Sequence, residues 1–157
     1  MFDGPRLVAA LEEAGITDVP WLPDTALGRW DAALTASPTI RLIRVCREGE
    51  ALAIAAGLHL GGRLPLAMMQ CTGLFEAGDA LRNVLHDLAL PLPLLVGVRS
   101  WGAFQKGESF DSCARFTERI VKAWEVPYVW LNRPEDLAAN LLRSRASAQP
   151  ILLLLPE

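Results

Sequence analysis

Apolar positions change their spacing along this chain, and each change marks an element. Leu7, Val8, Leu11 and Ala14 recur at three- and four-residue intervals, the stripe of an amphipathic helix that Asp3 caps, Pro5 starts and Gly15 ends. Residues 18–22 follow as a short first strand, with a turn at 23–25. Asp24 or Thr25 then caps a helix over 26–36, in which Leu27, Trp30 and Leu34 share a face. Ser37-Pro38 stops it, because the residue before proline is pushed out of helical backbone geometry. A second apolar run, 40–46, passes at once into a helical pattern with Leu52, Ala55, Ala56 and His59 along one side. Gly61-Gly62 ends that helix where left-handed backbone is needed. Residues 64–70 form a third apolar run, and Cys71-Thr72-Gly73 reads as a small-residue turn.

The second half repeats the alternation. A helix over 74–88 carries Ala77, Leu81, Val84, Leu85 and Leu88 on one side, and residues 94–98 read as a buried strand. Residues 99–112 break the pattern: glycine, serine, Gln105, Lys106 and Glu108 predict a long surface loop, mobile without ligand, of a kind that is often functional. A helix over 113–124, a strand over 127–131 and a helix over 134–144 lead to 151–155, an apolar run suited to a strand buried on both faces. Such alternation predicts one α/β domain over residues 1–157: a three-layer, parallel six-stranded sheet with helices on both faces and right-handed crossovers. In folds of this type, ligands bind at the carboxyl ends of the strands. That rule selects Glu48, the carboxylate that stands where the second strand gives way to its helix.

Composition narrows the class. The chain is 52% hydrophobic with a mean hydropathy of +0.26, high for a soluble monomer, which suggests a subunit interface. No apolar run reaches the ~20 residues of a membrane span. A net charge of −3 with scattered arginines leaves no nucleic-acid footprint. Cys46, Cys71 and Cys113 lack C-x-x-C spacing, which fits a reducing cytoplasm and neither disulfides nor zinc. The opening residues run straight into a helix and do not read as a signal peptide. There is no P-loop and no G-x-G-x-x-G.

Two stretches carry a resemblance. Arg47-Glu48-Gly49-Glu50-Ala51 after the second strand, followed by Met69-Gln70-Cys71-Thr72-Gly73 after the third, resemble the pyrimidine-binding domain of thiamine-diphosphate enzymes. The similarity is strongest to the α subunit of sulfopyruvate decarboxylase and the matching part of phosphonopyruvate decarboxylase, over almost the whole chain. In that family the glutamate at position 48 hydrogen-bonds N1′ of the cofactor's aminopyrimidine. A carboxyl in an apolar pocket has a raised pKa and can donate to a ring nitrogen at neutral pH. Gln70, Thr72 and Gly73 would line the cofactor, and Asp24, Thr25 and Arg99 would face the substrate, a small 2-oxo acid. Family members usually carry Asn-Ser where this chain has Cys71-Thr72, which keeps the hydroxyl and loses the amide. The family's magnesium motif, Gly-Asp-Gly with a downstream Asn, is missing; Gly78-Asp79-Ala80 lies mid-helix. The resemblance therefore implies that a β subunit supplies the diphosphate and Mg²⁺ half, in an α2β2 or larger assembly.

Blander readings stand beside these. Glu48 serves on position alone as a first-turn carboxylate complementing the helix dipole, and Asp24 as an ordinary N-cap. Glu50 faces another side of the helix, and His59 and His86 read as structural. Carboligation shares every early step with decarboxylation, and a non-catalytic interaction module is the rival from another class.

Overall fold

The computed structural model describes residues 3–25 and 27–157. Helix α1, Gly4–Glu13, starts at Pro5 and is capped by Asp3, whose side chain accepts from Arg6 N–H at 3.0 Å. Strands β1 (Asp18–Trp21), β2 (Arg41–Arg44), β3 (Ala67–Gln70), β4 (Pro93–Val98), β5 (Tyr128–Trp130) and β6 (Ile151–Pro156) form one sheet in the order β2-β1-β3-β4-β6-β5. Every pairing is parallel, as the alternation of runs predicts. Because side chains alternate across a strand, Leu95, Ile151, Leu153 and Leu155 face one core. That core packs against α1, α2 (Asp31–Ala36) and α8 (Glu135–Ser147). Leu94, Val96, Val98, Leu152 and Leu154 face the other. It is covered by α3 (Glu48–Leu60), α4 (Cys71–Glu76), α5 (Gly78–Leu81) and α7 (Ser112–Ala123). The three layers are thus present. Among the described residues the large apolar side chains left in solvent are Leu60, Leu88, Phe110, Phe116 and Leu142.

Four local expectations need correction. Cys71, Thr72 and Gly73 are not a turn: β3 runs directly into α4, with extended Gln70 as the N-cap. The helix expected over 74–88 is broken into α4, α5 and a π-helical turn at Arg82–Asp87. Gly78 stands at one break, where the Trp124 ring would lie 3.2 Å from any added Cβ. The helix expected over 26–36 begins as a 3₁₀ turn, Leu27–Trp30, before α2, and position 26 lies outside the described residues. Residues 99–112 are not a bare loop, since they hold α6, Trp101–Gln105. Trp101 stacks on Trp130 with ring centroids 4.0 Å apart and lies 6.0 Å from Phe104. The surrounding glycines and charges hid this anchor in the sequence.

At the amino ends of the strands, Asp18 ties three segments together. Its buried carboxylate accepts from Arg41 Nε at 2.7 Å, Arg63 Nε at 2.8 Å and Thr17 Oγ1 at 2.7 Å. Burial alone would raise its pKa, but hydrogen bonds from Arg63, Thr17 and Arg41 together hold it below its ordinary 3.8. A carboxyl with a depressed folded pKa contributes stability that is present above 3.8 and lost as pH falls below it. Asp18→Asn should therefore destabilise the fold at neutral pH by about 2 kcal/mol, less than the ~3–5 kcal/mol of a fully buried pair, because both arginines remain half in water. Urea titrations at pH 7 and pH 3 check this: the difference between wild type and variant should shrink at the lower pH.

Candidate active site

Parallel pairing puts all strand carboxyl ends on one edge of the sheet. The chain also reverses direction there: β1 leads outward to β2, while β3 lies on the other side of β1 and continues to β4. Such a switch point is where open α/β sheets form a ligand crevice. Asp24 follows β1, Glu48 opens α3 after β2, and Gln70 to Gly73 join β3 to α4.

Glu48 and Gly73, taken from two separate stretches, are in contact. A Cβ added to Gly73 would lie 2.5 Å from Glu48 Cδ and closer still to Oε1. The carboxyl therefore rests directly on the backbone of α4, and only glycine at position 73 permits this approach. Glu76, one turn further along α4, braces the contact. Its Oε1 accepts from Arg47 Nε at 3.0 Å and from Arg47 Nη2, and its Oε2 accepts from Gly49 N–H at 3.3 Å. Residues 47 and 49 flank Glu48, so one carboxylate grips both sides of the residue whose own side chain reaches back to Gly73. The Arg47 guanidinium is the main reason that the Glu76 carboxyl is held below its usual range. Neither Arg47 nor Glu76 is among the residues selected from sequence. The signal was available in part, since Glu76 stands three residues after Gly73 and shares its helix face.

Glu50 does something different. Its Oε2 accepts from Cys46 N–H at 3.1 Å, which caps the start of α3 and turns the side chain back along the chain. Thr72 is exposed and donates its hydroxyl to Gln70 Oε1 at 3.1 Å, so these two form a polar rim beside Gly73. Asp24 Oδ1 accepts from Leu27 N–H at 2.9 Å, the capping role, and Thr25 is exposed.

Arg99 is already matched by a carboxylate. Its Nε donates to Asp111 Oδ2 at 2.9 Å and its Nη2 approaches Cys113 Sγ at 3.4 Å. Asp111 also accepts from Ser100 Oγ at 3.1 Å and caps α7 through Cys113 N–H at 2.9 Å. These bonds, Arg99 foremost, lower the Asp111 pKa to about 2. Burial, with Cys71 and Asp111 nearby, pushes the Cys113 thiol up to about 11, which makes it inert as a nucleophile at neutral pH.

Glu157, which sequence reasoning missed, lies on the same edge. It follows β6, and its N–H donates to Val98 O at 3.1 Å. Burial first, then the charge of Asp24, raise its carboxyl to about 7 against the opposing pull of Arg29 and Arg99. The strand-end rule that selected Glu48 points to this position too. His59 and His86 sit instead near the amino ends of the strands, His59 beside Leu64, Pro65 and Pro93, and His86 beside Val126 and Pro150. Among the described residues, no group of three or more His, Cys, Asp or Glu side chains is placed to hold a metal ion. Asp79 of Gly78-Asp79-Ala80 pairs with Arg82 at 3.0 Å. No described helix is long and apolar enough to cross a membrane.

Comparison with known proteins bears out both the fold and the resemblance. The chain is 36% identical to phosphonopyruvate decarboxylase of Streptomyces viridochromogenes over 91 residues, which cover 58% of this chain and 23% of that protein. It therefore spans only about a quarter of the length of that relative. It is 27% identical to sulfopyruvate decarboxylase subunit alpha of Methanothermobacter thermautotrophicus over 136 residues, 85% of this chain and 80% of that subunit. The crystal structure of benzoylformate decarboxylase from Polynucleobacter necessarius superposes with a TM-score of 0.77 at 19% identity, over 99% of this chain and 30% of that one. No protein-family model matches the chain.

Proposed function

We propose that this chain is the pyrimidine-binding α subunit of a two-subunit, thiamine-diphosphate-dependent 2-oxo acid decarboxylase of the sulfopyruvate or phosphonopyruvate class, working in the cytoplasm. The observation that carries this reading is the Glu48 carboxyl seated on Gly73 at the switch point of the sheet. These residues fit the aminopyrimidine end of the cofactor: a carboxyl at a helix start, a neighbour with no side chain, and a rim of Gln70 and Thr72. The described residues hold no group of three or more His, Cys, Asp or Glu side chains placed for Mg²⁺, and the diphosphate and its metal are assigned to a partner β subunit. The similarity to a protein named as an α subunit over most of its length supports that division.

When bound, thiamine diphosphate supplies a nucleophilic carbon and an electron sink for decarboxylation. Glu48 would donate to the ring nitrogen N1′ of the bound cofactor, and the Arg47–Glu76–Gly49 brace would orient it. Arg99, oriented by Asp111, keeps an edge of its guanidinium toward solvent and meets the sulfonate or phosphonate of the substrate. Asp24 faces the substrate from the β1 side.

Calorimetry tests the two-subunit division. The chain alone should bind thiamine diphosphate weakly or not at all, with or without Mg²⁺. A complex with a partner carrying Gly-Asp-Gly and a downstream Asn should bind it tightly and release CO₂ from sulfopyruvate or phosphonopyruvate. Micromolar, Mg²⁺-dependent binding to this chain alone would overturn the reading.

A further inference from the structure

The Glu157 carboxyl has an unusual seat. A Cβ added to Gly97 would lie 2.9 Å from Glu157 Cδ and 3.2 Å from Leu27 Cδ2. The carboxyl and the Leu27 side chain together fill the hollow that Gly97 leaves in β4. Both Glu157 oxygens are buried, and neither has a hydrogen-bond partner among the described residues. Leu27 is the residue whose N–H closes the turn on Asp24 Oδ1. Glu157 therefore lies beneath the turn that presents Asp24.

We propose that Glu157 is a positioning residue of the site: lodged over Gly97 and uncharged, it supports the turn closed by Asp24 and Leu27, and its ionisation displaces that turn. A buried carboxylate without a hydrogen-bond donor is costly, and a second carboxylate nearby adds repulsion. Three charged groups bear on it: Asp24 after β1, Arg29 in the following 3₁₀ turn, and Arg99 at the end of β4. Burial and Asp24 outweigh the two arginines, so the proton is held up to about pH 7. The sign follows from a folded pKa raised above the ordinary 4.5: stability from this group is complete below 4.5 and is lost as pH rises to about 7. The consequence for substrate rests on the function proposed above; the titration and the movement of the turn do not.

Carbon-13 and methyl NMR of the full chain between pH 4 and 9 is the direct test. The Glu157 carboxyl should half-titrate near pH 7, and the Leu27 methyl signals should follow the same curve. In Glu157→Gln, a neutral mimic of the protonated acid, the Leu27 signals should stay at their low-pH position throughout. Asp24→Asn should lower the Glu157 midpoint, which keeps the test decisive if the first variant folds poorly. A Glu157 midpoint in the ordinary carboxylate range, or Leu27 signals that ignore it, would overturn the proposal. In the assembled complex, activity should fall above pH 7 in wild type, and that limb should be missing from Glu157→Gln. A complex that titrates this way but turns over no 2-oxo acid would sink the proposed function and leave Glu157 as the support of the turn.

Discussion

Glu48→Gln in the assembled enzyme is expected to lower turnover by about 10²–10⁴-fold while leaving fold and subunit assembly intact. The substitution keeps size and an acceptor oxygen but removes the acid proton that the proposed function assigns to Glu48. The brace of Glu76 on Arg47 and Gly49 does not involve the Glu48 side chain and should survive. Glu50→Gln is the control, since it changes the same charge in the same helical turn. Glu50 serves as a cap, accepting from Cys46 N–H, and a glutamine oxygen can accept the same bond, so it should cost little. Steady-state turnover of the two variants decides: equal losses, or more than about a tenth of wild-type rate left in Glu48→Gln, would remove Glu48 from its assigned role.

Gly73→Ala should be almost as damaging to activity, by a different route. The added methyl would overlap the Glu48 carboxyl, which must move aside by a large part of an ångström. Misplacing a reacting group by about 1 Å costs roughly 10²-fold. The fold itself has less reason to object. Alanine favours a helix over glycine by about 1 kcal/mol, and Gly73 lies within α4 without a positive φ. Thermal unfolding should therefore move little while turnover collapses. Gly57→Ala makes the comparison, because an added Cβ there meets nothing within 4 Å in the middle of α3. It should hold or raise stability and leave turnover alone. A Gly73→Ala enzyme with near wild-type turnover would show that the Glu48–Gly73 contact is incidental.

How much of this was legible in the sequence depends on how local the physics is. Strands buried on both faces must be apolar throughout, so 94–98 and 151–155 announced themselves, and the helices between them showed their period. The α6 turn escaped because five residues with two aromatics carry too little periodicity to stand out from glycines and charges. The break at Gly78 escaped because the ring that crowds this position, Trp124, comes from just beyond the end of α7, far along the chain. At the site, the strand-end rule found Glu48 and the family resemblance the positions of Asp24, Gln70 and Arg99, but neither gave their partners. Asp111 on Arg99 and Glu76 on Arg47 are contacts between residues far apart in the chain, which spacing does not encode. The family resemblance of the two stretches implied that Glu48 and Gly73 share one site, but not that they touch. Glu157 was passed over because attention to apolar runs stops at the last apolar residue.

The central claim is that Glu48 activates a cofactor held jointly with a partner subunit. Its most direct measurement is the rate of hydrogen–deuterium exchange at the thiazolium C2 of thiamine diphosphate, followed by proton NMR in the assembled complex. This step precedes substrate and is indifferent to which 2-oxo acid is used. Wild-type complex should exchange C2–H far faster than free cofactor, and the Glu48→Gln complex should lose about 10²-fold or more of that acceleration. Equal exchange in the two complexes would contradict the account.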